Sequence, residues 1–208
     1  MNSNSLPTTA RLLNSKASGR GLPPLIYMTD EKRLPNPIAA ISKLYPGSGV
    51  VFRHYTVNDR VDLGHKIKQL CKKNYLILLV AGDYKLARDL NADGFHLAEH
   101  QVLSPTLNMR LWRQRPNKII TAAVHSRKAL LKCQKLGVDA ALVSPIFPTK
   151  SHINQPSLGV TGFQRMVYKT TVPIYALGGI SKKNAGQLLN TPAIGIAGIG
   201  AIADNEQK

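Results

Sequence analysis

The chain has 208 residues, 43% of them hydrophobic, which is enough for one domain with a sizeable apolar core. It contains no run of about 18 apolar residues, which argues against a membrane-spanning helix. Lysine and arginine (28) outnumber aspartate and glutamate (11), for a formal net charge of +17. These cations are scattered at helix-face spacings without interleaved aromatic residues, so a nucleic-acid partner is not expected.

The first 21 residues are rich in Ser, Asn and Thr and contain three cations but no acid. They lack the apolar core of a secretory signal, and an organelle transit peptide is the weaker alternative because the amphipathic face is slight. We therefore expect a flexible basic arm over 1–21, one domain over 22–208, and a cytoplasmic protein. Cys71 and Cys133 form no Cys-x-x-Cys pair, which favours reduced structural thiols.

Short apolar runs alternate with amphipathic segments after the arm. Within each run, apolar residues follow one another instead of alternating with polar ones, which is typical of strands covered on both faces. Eight strands are predicted, at 25–28, 49–53, 75–81, 94–97, 119–124, 141–146, 173–177 and 194–199.

Helical patterns lie between these runs. One covers 58–72, and its predicted buried face consists of Val61, Leu63, Ile67 and Leu70. Another covers 126–136, and its predicted buried residues are Ala129, Leu130 and Cys133.

Eight strand-helix units of about 25 residues favour an α/β fold of the (β/α)8 TIM-barrel type over an open sheet. Only residues 200–208 follow the last strand, so the last helix is expected to be truncated. A partner subunit could cover the bare flank, which makes a homo-oligomer possible. The repeated patterns LNADGFHL and LGVDAALV place Asp93 and Asp139 just before strands, on the face of the barrel opposite its ligand site.

Candidate site residues follow the strands at the carboxyl ends, where barrels bind ligands. Arg53 offers a planar fork of donors for a carboxylate or phosphate, with a surface ion pair as the alternative. His125 suits proton transfer near neutral pH, with a helix cap or a packed histidine as the alternative. His96 lies inside an apolar strand and is expected to be a satisfied interior histidine.

The run 141–146 ends in a polar loop, since Pro145 and Pro148 forbid a helix there. The loop carries hydroxyl, ammonium and imidazole groups that suit an anionic small molecule, on Thr149, Lys150, Ser151 and His152. Glycines follow the last two strands, where their backbone N–H groups could hold a phosphate, at Gly178, Gly179, Gly198 and Gly200. The alternative is that these glycines only form tight strand-to-helix turns.

The stretches ADGFHL, AVHS, SPIFPTK and PIYALGGIS followed by KKNA resemble the thiamine phosphate synthase and thiazole tautomerase (TenI-like) family over 22–202. The resemblance implies a (β/α)8 barrel that handles a phosphorylated thiazole. The synthases of this family join a pyrimidine methyl pyrophosphate to thiazole phosphate, with Mg²⁺ held by two aspartates. Here Gly82 and Gln101 stand at those two positions.

Further departures fall on the same half of the implied site. Val51 and Tyr55 replace a glutamine and a lysine beside the retained Arg53, Ala123 replaces a serine, and His152 replaces a pyrophosphate-facing lysine. The thiazole-phosphate half keeps its threonine, serine and glycines. His125 matches the histidine expected to act as acid and base in the tautomerases.

The resemblance therefore leans towards a thiazole phosphate tautomerase that needs no metal or other cofactor. Its predicted catalytic residues are His125, Lys150 and His152. Its predicted substrate-binding residues are Arg53, Thr149, Ser151, Gly178, Gly179, Gly198 and Gly200. One alternative is the synthase, with Asp83 or Glu99 as a replacement Mg²⁺ ligand; another is a non-catalytic barrel that binds a phosphorylated metabolite.

Overall fold

The computed structural model describes residues 5–17, 21–149 and 156–203. Eight parallel strands pair in chain order, and the last returns to the first, so the sheet is a closed barrel. This confirms the (β/α)8 prediction. The strands are β1 (Leu25–Met28), β2 (Gly49–Phe52), β3 (Ile77–Ala81), β4 (Gly94–Leu97), β5 (Ile119–Val124), β6 (Ala140–Val143), β7 (Ile174–Leu177) and β8 (Ala193–Gly198).

Helices surround the barrel, and a 3-10 helix (Ala185–Asn190) joins β7 to β8. None of the described helices is long and apolar enough to cross a membrane. The helices are α1 (Leu6–Lys16), α2 (Ile38–Ile41), α3 (Arg60–Lys73), α4 (Tyr84–Asp89), α5 (Glu99–Leu103), α6 (Leu107–Arg113), α7 (Arg127–Leu136), α8 (Gly159–Val167) and α9 (Gly200–Ala203).

Two strands are shorter than their apolar runs. β3 begins at Ile77 because Tyr75 has a φ of 55°, in the left-handed region, which an extended strand cannot contain. β6 ends at Val143, yet ladder-like bonds continue beyond it: Ser144 N donates to Val124 O at 3.1 Å and Ile146 N donates to Leu177 O at 2.9 Å. The loop after β6 is therefore held on both sides by backbone bonds.

Side chains alternate between two apolar layers along each strand, as the period of two requires. Those facing the helices form the larger cluster, which includes Phe52 and Val80. Those facing the barrel axis, such as Leu79 and Leu142, form a second cluster. Tyr175 lies in this inner cluster, and its hydroxyl donates to Pro23 O at 2.5 Å near the amino end of the barrel.

The prediction of a flexible arm is wrong for the described residues 5–17, which form α1. This helix packs against β8 and the 3-10 helix and buries Leu6, Ala10 and Leu13. Asn14 fixes it further, since Nδ2 donates to Leu22 O and Ile194 O, both at 3.2 Å. The chain thus covers the outer face of β8 with its own α1.

The buried face of α3 matches the predicted one in part, since Ile67 is buried and the half-buried Leu63 and Leu70 pack against the core. Gly64, Ile67 and Cys71 are buried, whereas Val61 is 56% exposed. Gly64 lies on the buried face because a Cβ there would come within 2.9 Å of Leu90. The sequence pattern missed this contact because it counted only large apolar residues.

Helix α7 has the predicted core residues. It begins after Ser126, whose Oγ accepts from Ala129 N at 3.2 Å, and it ends at Gly137 with a φ of 63°. Its Cys133, like Cys71 of α3, is a free and fully buried thiol. Burial raises the pKa of both thiols to about 12, so they stay protonated and unreactive at neutral pH.

Asp93 and Asp139 make the same contact in two successive units. Each carboxylate accepts a backbone N–H from the start of the preceding strand, Leu78 N at 2.8 Å and Ile120 N at 2.7 Å respectively. Each is also paired with a cation, Lys68 or Arg113, at 3.2 Å. As expected, both aspartates serve the amino-terminal end of the barrel and tie neighbouring strands together.

We predict that Asp139→Ala lowers the free energy of unfolding by about 1–2 kcal/mol, because the buried Ile120 amide loses its acceptor. Urea denaturation followed by circular dichroism would measure this. Asp89→Ala is the matched control, since Asp89 pairs only with the neighbouring Arg88 on an exposed surface and should change the stability little. Equal losses in the two variants would contradict the proposed role of Asp139.

Candidate active site at the barrel mouth

A cavity of about 1190 Å³ opens at the carboxyl ends of the strands. Seven of the predicted site residues line it: Arg53, Thr149, His125, Gly178, Gly179, Gly198 and Gly200. The loop after β6 supplies Thr149, while the predicted Lys150, Ser151 and His152 lie outside the described residues. The structure therefore brings together every described residue of the predicted set.

His125 is oriented by the strand beside it. Its Nδ1 lies 3.1 Å from Ser144 O and 3.3 Å from Ser144 Oγ. A carbonyl oxygen only accepts hydrogen bonds, so the neutral ring carries its proton at Nδ1 and its lone pair at Nε2. The helix-cap alternative does not hold, because the next residue, Ser126, caps α7.

Glu99 holds the turn that carries His125. One of its carboxylate oxygens accepts the Ser126 hydroxyl at 2.6 Å, and the other accepts the backbone N–H of His125. The sequence analysis considered Glu99 only as a metal ligand. Its partners, His125 and Ser126, lie in the next strand-helix unit along the chain. No local sequence pattern predicts a contact at that separation.

Gly178 and Gly179 are required by a close backbone approach. Their φ values are 96° and 67°, and a Cβ on Gly179 would lie 2.5 Å from Phe147 O. Phe147 N also donates to Gly178 O at 3.0 Å. The tight-turn explanation for these glycines is therefore correct, and it coexists with their position in the cavity wall.

The amides of Gly178 and Gly179 have no protein acceptor among the residues that the structure describes. Asn184 fixes their turn, since Nδ2 donates to Gly179 O at 2.9 Å and Oδ1 accepts from Ser181 N at 2.8 Å. Asn184 was absent from the predicted site, although it belongs to the KKNA stretch. Two N–H groups lining a cavity can receive an anionic oxygen.

Three cations also line the cavity, from the loop after β1 and the end of β2: Lys32, Arg33 and Arg53. The loop after β1 carries Lys32 and Arg33, whose backbone N–H groups both donate to Asp30 Oδ1. The buried Thr29 joins this loop to the end of β2, because its Oγ1 accepts from Arg53 N at 2.8 Å. Lys32 and Arg33 were not predicted.

His96 is the interior histidine that the sequence indicated. It is 2% exposed, and its Nδ1 lies 2.8 Å from Thr121 Oγ1. Burial, with a smaller contribution from the Arg53 charge, lowers the pKa of His96 to about 3. The ring also lines the cavity, where it is a neutral polar group at all ordinary pH values.

The positions of the two synthase aspartates do lie side by side, but they do not fit an aspartate-bound Mg²⁺. Gln101 Nε2 is 3.5 Å from Gly82 O, and Gln101 Oε1 accepts from Ala98 N. The neighbouring Asp83 is paired with Arg60 at 2.8 Å and caps α4 through Leu86 N. The described residues contain no group of three or more His, Cys, Asp or Glu placed to hold a metal ion.

Several known proteins are similar to this chain in sequence. A family model described as thiamine monophosphate synthase matches residues 32–202. A putative thiamine-phosphate synthase 2 of Aquifex aeolicus is 33% identical over 183 residues, 86% of this chain and 96% of that protein. The thiamine-phosphate synthase of Pyrococcus furiosus is 26% identical over 185 residues, 87% of each.

A solved structure is similar as well. The thiamine phosphate pyrophosphorylase from Pyrococcus furiosus superposes with a TM-score of 0.70 at 26% identity, covering 94% of this chain and 91% of that one. The similarity therefore extends over nearly the whole length of both chains.

We predict that Glu99→Gln lowers the unfolding free energy by about 1–3 kcal/mol, because an amide accepts only one of the two bonds that the carboxylate accepts. The imidazole NMR signals of His125 should also shift, since its backbone anchor is lost. Asp62→Asn, on the exposed face of α3, removes the same charge and should leave both readouts unchanged. An unshifted His125 spectrum in Glu99→Gln would show that Glu99 does not position the ring.

Acid should destabilise the protein through His96. The unfolded chain binds a proton on this residue below about pH 6.5, whereas the folded chain excludes it down to about pH 3, so stability falls as the pH decreases through that range. Between pH 7 and pH 5 the wild type should lose about 2 kcal/mol more than His96→Gln in denaturation experiments. His65→Gln, an exposed control, should keep the wild-type slope; parallel slopes for all three proteins would refute the assignment.

Proposed function

The chain belongs to the thiamine monophosphate synthase and TenI family, and from this premise we propose that it is an isomerase that moves a proton on a phosphorylated thiazole carboxylate. The observation that carries the proposal is the orientation of His125 in the cavity wall. Its Nδ1–H faces the Ser144 carbonyl, so the basic lone pair resides on Nε2.

His125 would act first as a base and then as an acid. Nε2 takes a proton from one carbon of the ligand, and the resulting imidazolium returns a proton to another carbon. Only C–H bonds and the double bonds between them change, so the reaction needs no oxidant, reductant or second substrate. Ser144 O stabilises the cationic ring, because it accepts from Nδ1–H before and after the transfer.

The phosphate of the ligand would lie at the glycines after β7. Gly178 and Gly179 line the cavity, and Asn184 holds their turn before a ligand arrives. Preorganised donors of this kind bind an anion without the cost of ordering a loop. Thr149 lines the same cavity and adds a hydroxyl from the loop after β6.

We propose that this reaction proceeds without a metal cofactor. Proton transfer releases no pyrophosphate, so the negative charge that Mg²⁺ neutralises in the synthases does not develop. The donor set supports this, since Gln101 and Asp83 are both engaged with protein groups. The synthase reaction is the second candidate, and it is favoured by the similarity to proteins named thiamine-phosphate synthases.

The synthase reaction would require the cavity to stabilise the charge of the departing pyrophosphate. Departure of pyrophosphate without an aspartate-bound metal would leave the charge to the three cations of the cavity. Loss of metal-ion stabilisation costs several kcal/mol in such reactions, which is why the proton-transfer reaction is preferred here.

Incubation of the protein with the thiazole carboxylate phosphate, followed by proton NMR, would test the isomerase. We expect accelerated conversion that EDTA leaves unchanged, and a rate lower by about 10²- to 10⁴-fold in His125→Ala. His65→Ala, which removes an exposed imidazole from α3, is the matched control and should retain the wild-type rate.

Three results would count against this function. No acceleration, or an undiminished rate in His125→Ala, would exclude His125-dependent isomerisation. Formation of thiamine phosphate from the two halves, dependent on Mg²⁺, would establish the synthase instead. Ligand binding without turnover in either assay would identify a non-catalytic barrel.

A further inference from the structure

The loops that lead from helices into strands form a surface at the end of the barrel opposite the cavity, here termed the amino face. It consists of the loops before β2 to β7, at 42–48, 74–76, 90–93, 114–118, 137–139 and 168–173, with the last turns of the helices before them. Because the strands pair in chain order, these loops follow one another around the rim. Direct bonds also join neighbours: Gly47 N donates to Tyr75 O at 2.8 Å, and Lys118 Nζ donates to Asn91 Oδ1 at 2.8 Å.

Cations from separate helix ends meet at the amino face. Its exposed lysines are Lys43, Lys72, Lys73, Lys135 and Lys169, and Arg115 and Lys118 add two half-buried charges. None of these seven forms an ion pair with a carboxylate of the described residues.

The carboxylates of the amino face do not offset this charge. Within the described part of the chain they are Asp89, Asp93 and Asp139, and each is already in an ion pair with another cation, Arg88, Lys68 and Arg113 respectively. The amino face therefore has an uncompensated positive charge that runs around the rim from the loop before β2 to the loop before β7.

Exposed aromatic rings lie among these cations. The Tyr75 side chain is 79% exposed and the Tyr168 side chain is 64% exposed. Nζ of Lys169 lies 5.3 Å from the centre of the Tyr168 ring. Helix dipoles favour lysine in a last turn, which accounts for Lys72 and its neighbours, but they do not account for tyrosine rings in solvent beside them.

The backbone at two of these positions is strained. Tyr75 and Lys169 have φ values of 55° and 58°, in the left-handed region where a helix end ordinarily places glycine, as α7 does with Gly137 at 63°. A large side chain in this conformation costs stability, and Tyr75 lies in solvent, so its own loop gains little from it. Strain retained at an exposed residue points to a contact with another molecule.

We propose that the amino face binds single-stranded nucleic acid, with the lysines on the phosphates and the rings of Tyr75 and Tyr168 stacked on unpaired bases. Scattered cations suit a flexible phosphate backbone, and an exposed aromatic ring stacks on any base. A duplex would keep its base faces hidden, which favours a single strand. Spacing along the chain gives no sign of this surface, because the cations and the tyrosines come together only where the helices end.

Fluorescence anisotropy with labelled single strands of about 16 nucleotides, one of RNA and one of DNA, would test the proposal and show which sugar is preferred. The affinity should fall as salt rises, with a log–log slope of about −2 to −3, as for three or four neutralised phosphates. Lys72→Ala/Lys73→Ala should weaken binding and make the slope less steep by about one. Lys182→Ala/Lys183→Ala removes the same charge from exposed positions after β7, at the other end of the barrel, and should bind as the wild type does.

Tyr75→Gly separates a binding role from a structural one. It should raise the thermal midpoint of unfolding, because glycine adopts the left-handed conformation freely, while it weakens binding about tenfold through the lost stacking. Asn117→Gly is the matched control, since Asn117 has a φ of 57° on the same face but no ring. This control should keep the wild-type affinity.

Four results would overturn the proposal: no binding of either strand at low salt, equal losses in the two double-lysine variants, wild-type affinity in Tyr75→Gly, or tighter binding of a duplex of the same sequence. Sedimentation with phosphatidylserine vesicles in the absence of any strand binding would identify a membrane surface instead. The cavity takes no part in these measurements, so their outcome is independent of the isomerase assay.

Discussion

The pairing of β8 with β1 closes the sheet, and this closure brings all eight strand carboxyl ends to one rim. Groups far apart in sequence, such as Arg53 and Gly178, can therefore line one cavity. Helix α1, near the other end of the chain, covers the outer face of β8 and buries Leu6, Ala10 and Leu13.

Contacts within the protein hold several parts of the cavity wall in place. On one side the loop after β6 lies so close to the turn after β7 that only glycine fits at Gly179. The same loop presents the Ser144 carbonyl that orients His125. The position of His125 and the turn after β7 are thus both set by the loop after β6. Elsewhere in the wall, Thr29 accepts the backbone N–H of Arg53 at the end of β2.

The losses relative to the synthase pattern are accompanied by compensating contacts. Gln101 caps its own helix, Asp83 is paired with Arg60, and the Tyr55 ring lies over Gly82. A cavity of about 740 Å³ lies at the end of β3, lined by Tyr55, Gly82 and Gln101 among others, and the carboxylate beside it, Asp83, is already paired with Arg60.

The sequence by itself determined the eight strands, the barrel, the strand-end placement of His125 and the glycines, and the strand-start placement of Asp93 and Asp139. Those features follow from local periodicity and from the rule that barrel sites lie at strand carboxyl ends. Only the tertiary structure decided that α1 packs on β8, that Glu99 holds the His125 turn, and that Thr29 is bonded to Arg53 at the end of β2. Each of these depends on a contact between residues distant in the chain, and no local pattern encodes such contacts.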